Sequence, residues 1–304
     1  MEKKSMTALI SAFARAYHSE NNKTKVFNDS VARLLISDEE YVQISQNMAD
    51  GISFFNPDFK ESKEASLRWI VDNYLSPTQL ARSSFAEKSL ETAVSIGATQ
   101  YIILGAGYDT FAYRQPVWAD KLMIFEVDHP NTSTDKKVRL EKNNIAIPNN
   151  VHFILNDFTK NNLNISLFQN SIFNKNKLTF CSILGVLYYL SKETFENILF
   201  ELSSILPNGS SIVFDYPDEY SYTNKAGERS KKQSMLANAT GEKMIASYSY
   251  SELEHTLSKY GFLIYEHLNP DEMTAQYFNS YNISNPNHKI SAFDNTNYCL
   301  AVKK

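Results

Sequence analysis

Short apolar runs alternate with amphipathic segments through most of the chain. The runs are rich in Ile, Val, Leu and Phe and are bounded by polar residues, glycine or proline: Tyr101–Leu104, Leu122–Val127, Val151–Leu155, Leu178–Leu184 and Ser211–Phe214. Runs this apolar are typical of strands buried on both faces, as in a parallel sheet covered by helices. Thr194–Leu206 has the spacing of an intervening helix and stops at Pro207-Asn208-Gly209. The pattern therefore predicts an α/β fold.

The N-terminal quarter of the chain carries helical rather than strand patterns. Thr7–His18 has apolar residues at helical spacing, and Asp29–Leu35 and Lys63–Tyr74 are further helical candidates. We therefore expect a single domain, 1–304, in which residues 1–75 form a helical cap and residues 76–304 form the core.

The next helix has a clear predicted beginning. Ser76-Pro77-Thr78-Gln79 reads as a capping box, with Ser76 at the N-cap, Pro77 at the first helical position and Gln79 three residues after the cap. Gly97 follows the apolar face of this segment and is a suitable residue to end the helix.

Two features stand out in the last third of the chain. Residues 216–250 form a polar segment, which predicts either a solvated surface insertion or a lid over the carboxyl ends of the strands. Phe262–His267 and Tyr298–Val302 are predicted as two closing strands. Two such strands after a fifth parallel one suit a seven-stranded sheet.

Composition excludes several classes of protein. The 304 residues are 43% hydrophobic and 21% charged, which predicts a buried core rather than disorder. A net charge of -4 without a basic stripe argues against nucleic-acid binding. The longest apolar stretch, Ile183 to Leu190, is too short to span a membrane, and no signal peptide is recognised. Because Cys181 and Cys299 lie in apolar runs, we expect reduced core thiols and a cytoplasmic protein.

The main chemical motif follows the first strand of the alternating region. Leu104-Gly105-Ala106-Gly107-Tyr108-Asp109 places glycines where the backbone must turn sharply and can approach a ligand closely. A tight strand–helix turn needs glycine even without a ligand. The next strand, however, ends in Asp128, at about the twenty-residue spacing expected of a ribose-binding acid. The two features together favour nucleotide binding.

Two further observations bear on the nucleotide. Asp157 follows the third strand in Asn156-Asp157-Phe158, where a carboxylate could accept a hydrogen bond from an adenine amine, although an aspartate there is also a common turn former. The glycine turn continues as Asp109-Thr110-Phe111, without the third glycine of a dinucleotide site. An acid in this turn would repel a pyrophosphate but suits the ammonium group of S-adenosylmethionine.

Taken together, these runs resemble the leucine carboxyl methyltransferase family. The resemblance rests on Ala81-Arg82-Ser83-Ser84-Phe85, on the glycine turn, on Tyr113-Arg114 and on Phe125-Glu126-Val127-Asp128-His129-Pro130. It implies a Rossmann-like seven-stranded class I methyltransferase sheet, mostly parallel with an antiparallel last strand. It also implies that the cofactor is S-adenosyl-L-methionine.

The resemblance assigns cofactor-binding roles by position. Arg82 matches the arginine that holds the methionine carboxylate, Asp128 matches the ribose acid, and Arg15 is a candidate for a basic residue that closes over the cofactor. The remaining matches are the glycine turn, Gly105, Ala106 and Gly107, and the adenine pair, Asp157 and Phe158. The sequence departs from the family pattern at Leu184, where many members have a glutamate, whereas Gly185 and Tyr189 still match.

The acceptor is predicted to be a carboxylate or hydroxyl of a small-molecule or peptide-like compound. Transfer from a sulfonium requires that the acceptor be aligned with the methyl carbon and that water be excluded. A carboxylate acceptor needs no base. A hydroxyl acceptor does, and no such base is evident near the ends of the fourth and fifth strands. The candidates for lining the acceptor pocket are Tyr189, Tyr216, Tyr17 and His18. No metal spacing occurs among the histidines.

Two alternatives remain at this point. A nicotinamide-dependent oxidoreductase is disfavoured by the missing third glycine, and a cofactor-binding protein without turnover is suggested by Leu184. The oligomeric state does not follow from the sequence.

Overall fold

The computed structural model describes residues 5–240 and 242–304, which fold around a seven-stranded sheet with the strand order β3-β2-β1-β4-β5-β7-β6. The strands are β1 Gln100–Leu104, β2 Met123–Asp128, β3 Val151–Leu155, β4 Thr179–Ile183, β5 Ser211–Pro217, β6 Phe262–Leu268 and β7 Thr296–Lys303. β1 to β5 pair in parallel, whereas β7 runs antiparallel to both β5 and β6. The predicted class of sheet, including its two closing strands, is confirmed.

Helices cover the sheet and precede it. Before β1 lie α1 Met6–Asn21, α2 Ser30–Leu34, α3 Asp38–Asp50, α4 Ile52–Phe55, α5 Lys63–Ile70 and α6 Ser76–Ser95. After β2 come α7 Pro130–Lys142, α8 Leu163–Phe168, α9 Lys192–Ile205, α10 Glu228–Thr240, α11 Tyr250–Lys259, α12 Pro270–Met273 and α13 Asn279–Ser284. Within the described ranges, no helix combines the length and apolar character that crossing a bilayer requires.

The predicted beginning of α6 is wrong. A π-helical turn, Val71–Leu75, joins α5 directly to α6, so that Ser76 has helical dihedral angles and its fully buried hydroxyl caps nothing. Pro77 cannot donate to a carbonyl four residues earlier, and the wider π turn just before it accommodates that missing bond. A proline at the start of a helix and a proline inside a kinked one look alike in sequence. The predicted end holds, because Gly97 has φ +110°.

The N-terminal helices pack against the carboxyl-end side of the sheet. Phe13 of α1 is completely buried in a cluster that also contains Val71, Leu140 of α7 and Tyr108, the residue that follows the glycine turn. A Cβ added at Gly107 would lie 3.5 Å from Ala8 Cβ of α1. Helix α1 therefore lies directly over the turn that leaves β1.

A buried ion pair attaches α7 to β2. Lys136 Nζ lies 2.8 Å from Glu126 Oε2, and each side chain is 1% exposed. Tyr113 Oη donates to the same carboxylate oxygen at 3.1 Å. Burial raises the pKa of Glu126, and the ammonium group of Lys136 opposes that rise. Because Glu126 lies two residues before Asp128, this pair anchors the end of β2 from which Asp128 projects.

Replacing Lys136→Met should destabilise the fold at neutral pH by about 3 kcal/mol or more, since Glu126 would then be a buried charge without a counterion. The double variant Glu126→Gln/Lys136→Met should recover most of that loss, and lowering the pH should shrink the defect of the single variant by protonating Glu126. Urea unfolding measures both effects.

The control is Lys192→Met, which removes an exposed pair with Glu252 and should change the free energy of unfolding by less than about 1 kcal/mol. Equal losses of stability in Lys136→Met and Lys192→Met would contradict the expected difference between a buried and an exposed ion pair.

Candidate functional site

A cavity of about 510 Å³ opens at the carboxyl ends of β1, β2 and β4. Its walls come from α1, the first half of α6, the turns that follow these strands, and the segment after α10. β1 and β4 are neighbours at the point where the strand order reverses, which is where open α/β sheets bind their ligands. The position alone identifies this cavity as the candidate site.

The glycine turn after β1 forms the floor of the cavity. Gly105 has φ +74° and Gly107 has φ +46°, both in the left-handed region that glycine adopts without strain. A Cβ at Gly105 would lie 2.4 Å from Cγ2 of Val186, which follows β4. Glycine at this position therefore lets the turns after β1 and β4 approach each other, and Ala106 lines the cavity between the two glycines.

Asp128, at the end of β2, lines the cavity next to this turn. The backbone N–H of Gly107 donates to Oδ2, and the N–H of His129 donates to Oδ1 at 2.6 Å. Burial raises the pKa of Asp128, while these two donors act in the opposite direction. The carboxylate is therefore fixed in place, and an acid so placed suits a pair of ribose hydroxyls.

Arg82, on α6, crosses the cavity wall between α1 and the sheet. Its Nη2 donates to Ser11 Oγ of α1 at 3.2 Å, and its Nη1 lies 3.6 Å from Asp215 Oδ2 of β5. A Cβ at Gly185 would lie 2.2 Å from Nη1. The left-handed glycine after β4 therefore leaves the space that the guanidinium occupies.

Asp215 was not among the residues predicted for the site, since no base was evident from the sequence near the ends of the fourth and fifth strands. It is fully buried, and it accepts hydrogen bonds from Gly185 N–H and from Tyr188 Oη. The signal was available, because Asp215 interrupts an otherwise apolar strand. Leu184, at the position of the family glutamate, lines the cavity and packs with apolar residues on one face of the sheet.

Arg15 lines the cavity, but each of its nitrogens already has a partner. Nε donates to Asp29 Oδ2 at 2.8 Å, Nη1 donates to the Ser11 carbonyl at 3.1 Å, and Nη2 donates to the Tyr108 carbonyl at 2.7 Å. These bonds attach α1 to the glycine turn. The arrangement supports a role for Arg15 in holding α1 over the cavity.

The two residues of the predicted adenine pair are placed differently. Phe158 lines the cavity, whereas Asp157 is not among the lining residues. Hydrogen bonds from Thr159, with a further contribution from Lys160, lower the pKa of Asp157 to about 2. Its carboxylate therefore organises the turn after β3, beside the cavity rather than within it.

The four candidates for the acceptor pocket do not come together. Tyr189 lines the cavity, and burial raises its pKa to about 12. Tyr216 is fully buried and shares a hydrogen bond with His267, and Tyr17 lies buried among the N-terminal helices. His18 is also fully buried, which lowers its pKa to about 3. Because these last three side chains do not line the cavity, we correct the acceptor pocket by removing them.

Other lining residues were not foreseen. Thr7 and Ser11 come from α1, and Gln233, Glu242, Lys243 and Met244 come from α10 and the segment after it. The backbone N–H of Ile245 donates to the Tyr188 carbonyl at 2.8 Å, so this segment is attached to the turn after β4. Within the part of the chain that the structure describes, no cluster of His, Cys, Asp or Glu could hold a metal ion.

Comparisons with known proteins identify relatives of this chain. The family model described as leucine carboxyl methyltransferase matches residues 8–203. A Bacillus subtilis protein named "Putative S-adenosyl-L-methionine-dependent methyltransferase YktD" is 44% identical over 305 residues, covering 99% of this chain and 98% of that protein.

Two solved structures have the same fold. One is a "putative methyltransferase" from Thermobifida fusca, with a TM-score of 0.55, 13% identity, and coverage of 99% of this chain and 96% of the other. The second is a DUF574 family protein from Streptomyces avermitilis, with a TM-score of 0.59, 13% identity, and coverage of 97% of both chains. The matching family and the Bacillus subtilis relative establish that the cofactor of this chain is S-adenosylmethionine.

Replacing Gly105→Ala should weaken S-adenosylmethionine binding by about tenfold or more, because the added methyl group would meet Val186 at the floor of the cavity. Gly261→Ala is a matched control, since Gly261 has φ +79° but nothing within 4 Å of an added Cβ. That variant should lose about 1 kcal/mol of stability from backbone strain and bind normally. Calorimetric titration and thermal unfolding measure the two effects. Equal binding by both variants would show that the close approach is unimportant.

Binding of S-adenosylhomocysteine should weaken as the pH falls from about 7.5 to about 4.5, since Asp128, with its raised pKa, then loses the charge that accepts hydrogen bonds. Asp128→Asn should bind weakly at every pH and flatten the profile. Asp157→Asn is the control, because a carboxyl group with a pKa of about 2 stays ionised throughout this range. A profile unchanged by Asp128→Asn would exclude this assignment.

Proposed function

Since the chain belongs to the leucine carboxyl methyltransferase family, we propose that it methylates a carboxylate oxygen of a small-molecule or peptide-like acceptor. The chain is an S-adenosylmethionine-dependent methyltransferase, and the finer proposal concerns the acceptor. The observation that carries it is one continuous cavity, in which the cofactor-binding residues and a set of hydrogen-bond donors face the same space.

The residues at one end of the cavity fit the cofactor. Arg82 would receive the methionine carboxylate, the backbone of Gly105–Gly107 would lie along the methionine portion, Asp128 would bind the ribose hydroxyls, and Phe158 would contact the adenine. The cofactor supplies an electrophilic methyl group and an excellent leaving group. The absence of a third glycine and the presence of Asp109 in the turn both disfavour a nicotinamide dinucleotide.

The acceptor end of the cavity presents donors that suit a carboxylate. Tyr189, Gln233 and Lys243 line it together with apolar side chains of Leu190 and Met244. Because burial raises the pKa of Tyr189 to about 12, its phenol stays protonated at neutral pH and can donate a hydrogen bond. These side chains would hold and align an ionised carboxyl group, and α1, which lies over the glycine turn, would help to exclude water.

A hydroxyl acceptor is the second candidate, and it depends on Glu242. This carboxylate also lines the cavity and interacts electrostatically with Tyr189. A hydroxyl group must lose a proton during transfer, and Glu242 is a carboxylate at the acceptor end that could take it. The two candidates predict different products.

Incubation with S-adenosylmethionine carrying a tritiated methyl group and a small-molecule extract should give a product that releases volatile tritiated methanol at alkaline pH. Methyl esters hydrolyse under these conditions, whereas methyl ethers do not. Glu242→Gln should retain most of the transfer, because a carboxylate acceptor needs no base.

An alkali-stable product, together with loss of transfer in Glu242→Gln, would instead identify a hydroxyl acceptor. Binding of S-adenosylhomocysteine without transfer to any acceptor tested would favour a cofactor-binding protein that does not turn over. Arg82→Met, which should bind the cofactor poorly, serves as the blank for non-enzymatic methylation.

A further inference from the structure

We propose that Asp215 is a positioning residue that holds Arg82 in the orientation needed to receive the cofactor's carboxylate. The inference rests on the proposed role of Arg82 and concerns a residue that is not itself in contact with the cavity. Asp215 lies in β5, which β4 separates from β1, and acts through the turn after β4.

The contacts of Asp215 join three parts of the site. Its Oδ1 accepts the backbone N–H of Gly185 at 2.6 Å, and its Oδ2 accepts the hydroxyl of Tyr188 at 2.9 Å. The same Oδ2 lies 3.6 Å from Arg82 Nη1. One carboxylate therefore fixes the turn after β4 and faces the guanidinium that crosses above that turn.

The position of Asp215 is itself rigidly determined. Its strand is paired on both sides, with β4 and with β7, where Asp215 lies opposite Tyr298. The side chain is completely buried, so water does not screen its charge. Burial also raises the pKa of Tyr188 well above its usual range, and the phenol therefore remains a donor to the carboxylate.

Arg82 has little else to define its orientation. Apart from the facing carboxylate, the described contact of its guanidinium is the bond from Nη2 to Ser11 Oγ. A Cβ at Gly185 would collide with Nη1, so the guanidinium lies against the turn whose N–H is bound by Asp215. Arginine recognises a carboxylate through a planar fork of donors, and this recognition is sensitive to the tilt of the plane.

The stability of the fold is by itself a weak explanation for the ion pair between Arg82 and Asp215. Burying two charges costs solvation free energy, and apolar residues of similar volume often stabilise a fold equally well. A separation of 3.6 Å is also longer than a direct hydrogen bond. The arrangement is better suited to orienting Arg82 while leaving its remaining donors for a ligand.

The test compares two ligands that differ only at the amino-acid end. S-Adenosylhomocysteine carries the carboxylate, whereas 5′-methylthioadenosine keeps the adenosine and the sulfur but lacks the amino acid. In Asp215→Asn, calorimetry should show a loss of affinity for S-adenosylhomocysteine of about tenfold, the size expected for a misplaced charged hydrogen bond. The affinity for 5′-methylthioadenosine should stay within about twofold of the wild type.

Two further variants keep the outcome interpretable. Tyr188→Phe removes the donor to Asp215 while leaving the charge in place, so it should show a smaller loss in the same direction even if Asp215→Asn folds poorly. Asp72→Asn is the matched control, because Asp72 is a buried acid paired with Arg68 that does not line the cavity. It should destabilise the fold without changing the ratio of the two affinities.

The outcomes separate this inference from the assignment of Arg82. If Arg82→Met binds both ligands as the wild type does, the role proposed for Arg82 fails. Suppose that Arg82→Met loses affinity for S-adenosylhomocysteine alone, whereas Asp215→Asn and Tyr188→Phe keep their affinity for it. The inference about Asp215 is then overturned. Equal loss of both ligands in Asp215→Asn, matched by Asp72→Asn, would likewise overturn it, because the effect would then be one of general stability.

Discussion

The two parallel strands at the reversal point of the sheet, β1 and β4, are both followed by a glycine with left-handed backbone. Gly105 allows the turn after β1 to approach Val186, and Gly185 leaves room for the guanidinium of Arg82. A side chain at either position would occupy space that another part of the site already fills. The cavity therefore depends on this close packing of two turns, and its remaining residues are arranged around it.

Charged side chains then hold the surrounding elements to these turns. Arg15 attaches α1 to the Tyr108 carbonyl, and Asp215 bonds to the turn after β4. Lys136 neutralises Glu126 near the end of β2. Each of these charges is buried and paired, which gives the site fixed donors and acceptors that need little reorganisation when a ligand binds.

The local patterns in the sequence predicted the strands well, but they missed helix α3 and the long-range contacts. Apolar runs located the central strands because β1, β4 and β5 are buried along their whole length, and the glycine turn with Asp128 located one wall of the cavity. The beginning of α6 was misread because Pro77 lies within a helix that a π turn accommodates. Tyr17, His18 and Tyr216 were reasonable candidates by type, but their side chains face other parts of the core.

By itself, the sequence determined the class of sheet, the glycine turn after β1 and the acid at the end of β2, because these depend on residues close together in the chain. Only the tertiary structure showed that Asp215 faces Arg82 and that Lys243 and Thr7 line the same cavity, since these residues are far apart in sequence. Their proximity follows from the order of the strands and the placement of α1. Periodicity and local propensity carry no information about such pairings, because they describe one element at a time.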